Sequence, residues 1–157
     1  VVPLADSWPS TSPCPEPDPA AGDAPTGQEA VGPAVELARA QPDHAGLWLT
    51  GDVLNAAFTG DLERHRAELR EVWGGPLCLV EHARTLEELR AVQEELSSGA
   101  AAELGLEFTY SSTDEVGNVV ELGVVAADDA QRAALDERYG AGTVRLVPGL
   151  RAEPAPR

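Results

Sequence analysis

The sequence predicts an α/β (α+β) protein in which two ββαβ repeats, joined by a helix, form mixed sheets with their helices packed on one face. Three observations carry this prediction. First, residues 51–80 align without a gap on residues 117–146. The alignment sets Gly51 on Gly117, Val53 on Val119, Arg66 on Arg132, Leu69 on Leu135, Trp73 on Tyr139, Gly74 on Gly140 and Cys78 on Val144. Second, each stretch reads as an apolar strand, an acidic helix start, a glycine-terminated helix and a second apolar strand. Third, the segment between them is strongly amphipathic at helical spacing.

The chain divides accordingly. Residues 1–33 hold eight of the 13 prolines among Ser, Gly, Asp and Glu, too little apolar content to offset the entropy of ordering. A disordered or extended acidic leader is expected there. Residues 34–45 form a short helix and linker, with Pro33 in the first turn and Pro42 as the stop. The folded domain spans 46–150, with repeat 1 at 46–83, the connecting helix at 85–98 and repeat 2 at 105–148; residues 151–157 are a tail.

In repeat 1, Val53–Thr59 reads as a strand, Asp61 as a cap for the helix Leu62–Trp73, and Gly74-Gly75-Pro76 as its stop. Leu77–Val80 then returns as a strand parallel to the first, because a helical crossover joins them. In repeat 2 the corresponding pieces are the strand Val119–Ala126, a helix capped by Asp128 or Asp129, a stop at Gly140–Gly142 and the strand Thr143–Val147. Hairpin partners precede both, at Leu47–Leu49 and Leu106–Ser111. The connecting helix opens with the capping-box pattern Thr85-Leu86-Glu87-Glu88. It repeats Leu86, Leu89, Val92 and Leu96 on one face and closes at Ser97-Ser98-Gly99.

A formal net charge of -16 disfavours nucleic acid and anionic membrane surfaces, which bind clustered positive charge. All 11 basic residues are arginine, a sign of codon bias rather than of function. No apolar run reaches the roughly 18 to 20 residues of a membrane span. The first residues show neither a basic region nor an apolar signal core. Cys14 and Cys78 match no metal or CxxC spacing. Either Cys78 is a buried thiol and Cys14 has no role, or the two form a disulfide, which explains a cysteine amid prolines and implies an oxidising compartment.

Catalytic, cofactor and metal sites are not expected. His44, His65 and His82 lack the spacing that presents two imidazoles to one metal ion, and His65 reads as a solvated helix residue and His82 as a strand-end residue. No GxSxG elbow is present, and the Gly pairs follow helices where a phosphate cradle would precede one. The acid pairs Glu87-Glu88, Glu94-Glu95, Asp114-Glu115 and Asp128-Asp129 fall at helix starts, on solvated faces or in turns.

Three stretches, Trp48–Thr59 (WLTGDVLNAAFT), Thr85–Leu96 (TLEELRAVQEEL) and Asp114–Val125 (DEVGNVVELGVV), resemble the pro-region modules of secreted bacterial serine proteases of the alpha-lytic protease and streptogrisin type. The resemblance spans about residues 46–147 and rests on short, mostly structural motifs. It implies a small α/β module that binds a folding or folded protease, aids its maturation and inhibits it through a C-terminal segment. This sequence departs from that pattern in carrying no protease domain after Val147. The expectation is therefore an extracytoplasmic, non-catalytic module, secreted or in the cell envelope. It binds another secreted or envelope protein as an inhibitor or folding helper, through a sheet face or edge, with the tail from Pro148 adding a strand. Alternatives are a structural envelope component, or a small enzyme or ligand carrier with a cleft between the repeats.

Overall fold

A computed structural model describes residues 12–148. The expectations for residues 1–11 and for the tail at 151–157 lie outside them. The chain forms two compact units that divide between Thr85 and Leu86.

Unit 1 runs α1 (Gly32–Arg39), β1 (His44–Thr50), β2 (Val53–Phe58), α2 (Leu62–Arg70) and β3 (Leu77–Glu81). Its sheet has the order β1-β2-β3, with β1 antiparallel and β3 parallel to the central strand. Unit 2 runs α3 (Leu86–Glu95), α4 (Ala101–Glu103), β4 (Phe108–Asp114), β5 (Val119–Val124), α5 (Asp129–Tyr139) and β6 (Val144–Pro148). Its sheet has the order β4-β5-β6 with the same strand directions. The fold is therefore α+β with two three-stranded mixed sheets, and ββαβ occurs twice.

The two sheets agree in detail. Each first strand carries a bulge at the same place: pairing passes from His44↔Phe58 to Gly46↔Ala57 in unit 1, and from Phe108↔Val124 to Tyr110↔Gly123 in unit 2. Apolar side chains alternate along both central strands, so Leu54, Ala56 and Phe58 in one unit, and Val120, Leu122 and Val124 in the other, meet the helices.

Three expectations need correction. The helix at 85–98 is not a connector between repeats. It is the first helix of unit 2 and covers β4 and β5 as α1 covers its own sheet, which makes each unit αββαβ. It breaks where Ser97-Ser98-Gly99 was expected to close it, with Gly99 non-helical at φ 148°; the short helix α4 follows the kink, and Leu96, Ala100 and Ala101 lie in the same buried core. The gapless alignment slips by one residue at the last strand, since Leu54 opposes Leu77 whereas Val120 opposes Val144. The counterpart of Cys78 is thus Arg145. Finally, α2 ends at Arg70, leaving Trp73 in the following turn.

The helix starts also differ. Asp61 has left-handed backbone (φ 52°, ψ 38°) and its side chain makes no capping bond, contrary to the expected cap. Asp128 is extended, accepts from the Gln131 amide at 2.7 Å and receives the reciprocal Gln131 side-chain contact. Asp128→Ala is accordingly expected to destabilise unit 2 by about 1 kcal/mol. Asp61→Ala should leave unit 1 nearly unchanged, with urea unfolding as the readout.

Candidate functional site

Both sheets turn one face to their helices, and the contrast between the units lies on the opposite face and along the third strand. In unit 1 a strap formed by the end of the leader covers that region. Cys14 is joined to Cys78 by a disulfide with a Cα–Cα distance of 5.8 Å. The Ser12 hydroxyl donates to Asn55 Oδ1 at 2.8 Å. Asn55 is fully buried, and its amide nitrogen donates to Thr50 Oγ1 at 2.8 Å. The strap then reaches the outer edge of β3, where Asp18 and Leu77 exchange backbone hydrogen bonds of 2.8 and 3.0 Å.

Side chains of α2 hold the same segment. Arg66 Nε donates to Asp18 Oδ2 at 2.6 Å, and Arg70 Nη2 donates to the Pro19 carbonyl at 2.8 Å. Hydrogen bonds to Glu63 and then Asp18 raise Arg66 above its ordinary value, keeping it cationic. The Ala21 amide donates to the Gly74 carbonyl at 3.0 Å. Glycine is required at 74 because a Cβ there would lie 2.0 Å from the Ala24 carbonyl oxygen.

From Ser12 onward the leader is extended, one of the two states its composition had suggested, and it is held in place. Its order comes from a covalent bond and backbone pairing rather than from apolar burial. The signal was the alternation Ser12-Pro13-Cys14-Pro15-Glu16-Pro17-Asp18-Pro19, in which proline at every second position keeps the chain extended. Ser12, Cys14 and Asp18, all from the other register, make the contacts.

In unit 2 the corresponding face is polar, and no described segment covers it. The row Trp48–Asn55–Cys78 becomes Ser112–Glu121–Arg145. Arg145 Nη2 donates to Glu121 Oε2 at 2.6 Å and to Asp114 Oδ2 at 2.8 Å, while the Tyr110 hydroxyl donates to Glu121 Oε1 at 2.6 Å. Tyr110 lies across Gly123, where a Cβ would come within 2.2 Å of the ring. Three large apolar side chains of this unit are exposed: Phe108 at 37%, Tyr110 at 42% and Val125 at 54%.

The Tyr110 hydroxyl, and next the Arg145 guanidinium, hold the Glu121 carboxyl below the ordinary glutamate range. A carboxyl with a depressed folded value contributes stability that is present above the unfolded value and is lost as pH falls through the folded one. Unit 2 is therefore expected to lose stability as pH drops below about 4.3. Glu121→Gln should flatten that dependence, measured by urea unfolding across pH.

His65 is the second candidate, and it corrects the expectation of a solvated helix residue. It is 1% exposed, its ring stacks on Phe58 at 3.7 Å, and Nε2 lies 2.7 Å from Asp43 Oδ2. Its Nδ1 has no hydrogen-bond partner among the described residues and lies 3.9 Å from Glu68 Oε2. A base so enclosed offers no access to a substrate, and its contacts tie α2 to the loop before β1. His82 follows β3 and stacks on Trp48, while His44 begins β1 and meets Phe58 edge-on. The three histidines thus do not converge on one point.

Among the described residues no group of three or more His, Cys, Asp or Glu side chains is placed to hold a metal ion. Of the acid pairs, Glu95 binds Arg138, Asp114 binds Arg145 and Asp128 caps α5. No described helix is long and apolar enough to cross a membrane. No protein-family model matches the chain, and no curated protein is similar to it in sequence.

Proposed function

We propose that this chain is a non-catalytic, extracytoplasmic binding module that engages another secreted or envelope protein, in the manner of a protease pro-region acting as inhibitor or folding helper. One observation carries the reading. The same sheet template appears twice, and in unit 1 it already performs polypeptide recognition, holding an extended segment by backbone pairing, an ion pair and a buried amide. In unit 2 no described segment covers the same side, which bears exposed Tyr110 beside Glu121; tyrosine is a residue type enriched in protein interfaces. The Cys14–Cys78 disulfide supports an oxidising compartment.

The test is affinity capture with the oxidised chain at physiological salt from the secreted proteins of its source. Retention of a defined partner, competed by excess free chain, is expected. Absence of any competable partner would overturn the reading.

A further inference from the structure

We propose that the cleft between α5 and the outer edge of β6 binds an extended segment of the partner protein, adding it to β6 as the strap is added to β3 and seating an Asp or Glu carboxylate on Arg132. This rests on the binding-module reading and names its site and ligand chemistry.

The backbone phase of the two third strands is the same. The Leu54 amide donates to the Pro76 carbonyl at 3.0 Å and the Val120 amide to the Thr143 carbonyl at 2.8 Å. Since alternate residues of a strand turn their polar groups to opposite edges, Leu77 and Val144 both point theirs away from the central strand. At Leu77 those groups are taken by Asp18. At Val144 no described strand takes them, because β6 is the edge of its sheet.

The flanking helices match as well. Leu69 and Leu135 are both buried, which sets the rotation of α2 and α5, and an arginine stands three residues before each. Arg66 therefore flanks β3 and grips Asp18, while Arg132 flanks β6 and lines an open cleft of about 380 Å³. Asp136, Val144, Arg145 and Leu146 line the same cleft. Three of these stand where unit 1 uses Arg70, Leu77 and Cys78 to hold the strap.

Two replacements define how the ligand differs from the strap. Arg145 in place of Cys78 removes the covalent bond, so binding is reversible. Asp136 in place of Arg70 reverses the preference beyond the carboxylate. Arg70 takes the carbonyl of Pro19, whereas Asp136 accepts hydrogen bonds, here from the Gly142 amide at 3.2 Å. A basic side chain just after the ligand's acidic residue fits this site; the Asp18-Pro19 sequence of a second copy's leader does not.

A displayed library of short random peptides, panned on the oxidised full chain, tests this. Retained peptides are expected to carry Asp or Glu followed within a residue or two by Lys or Arg, and to bind Arg132→Glu and Arg132→Gln chains at least about tenfold more weakly. Arg132 is exposed, so both variants should keep the folded amide spectrum. Recovery of no peptide, of peptides without a carboxylate, or of peptides held equally by the variants would overturn the assignment. A natural partner captured equally by the wild type and Arg132→Glu would remove the cleft while leaving the binding-module reading in place. Failure to capture any partner removes that reading itself.

Discussion

Cys14→Ala is expected to destabilise unit 1 by about 4 kcal/mol, the loop-closure entropy of a crosslink between cysteines 64 residues apart. Alanine at 14 leaves the rest of the strap chemically intact, so the loss isolates the covalent bond from the Asp18–Leu77 pairing and the Arg66 ion pair. Reducing the wild-type protein should produce the same shift in the urea midpoint, read on the amide signals of unit 1. An unchanged midpoint on mutation or reduction would mean that the leader is held without the crosslink.

Trp73→Ala is expected to cost about 3–5 kcal/mol. The indole is fully buried among Leu54, Phe58, Leu69 and Leu77, and its N–H donates to the Pro76 carbonyl at 3.0 Å. Removing it opens a cavity in a small core that has few other large side chains to collapse into it. A Cβ on Gly75 would lie 2.8 Å from the indole, so the turn and the ring are fitted to each other. Trp73→Phe retains much of the volume and loses the N–H donor, and should cost far less. Equal losses for the two variants would locate the stabilisation in the hydrogen bond rather than in packing.

The ββαβ order was legible because glycine stops and alternating apolar strands are local signals that recur in both halves. What escaped depends on partners distant in sequence. The helix Leu86–Glu95 read as a connector because its periodicity shows only that one face is buried, not which sheet covers it. His65 lies on the same helical stripe as Leu62 and Leu69, so its burial was encoded; its polar character pointed the other way until Asp43, 22 residues earlier, supplied a partner. Composition left the leader between disordered and extended because low apolar content gives no sign of order, whereas the strap is held by a disulfide, an ion pair and backbone pairing with β3. Pairing of Cys14 with Cys78 was one of two readings the sequence allowed; that it brings the strap onto the edge of β3, while no described strand joins the edge of β6, was not legible. That step needed the one-residue slip that sets Arg145, rather than Val144, opposite the role of Cys78.

Residue-resolved hydrogen exchange of the native, oxidised protein would probe this most directly, by comparing the outward amides of the two edge strands. The Leu77 amide, bound to Asp18, should be as well protected as the central strand of its sheet, while those of Val144 and Leu146 exchange orders of magnitude faster. Comparable protection at all three positions would contradict a template that the strap fills in one unit and that no described residue fills in the other.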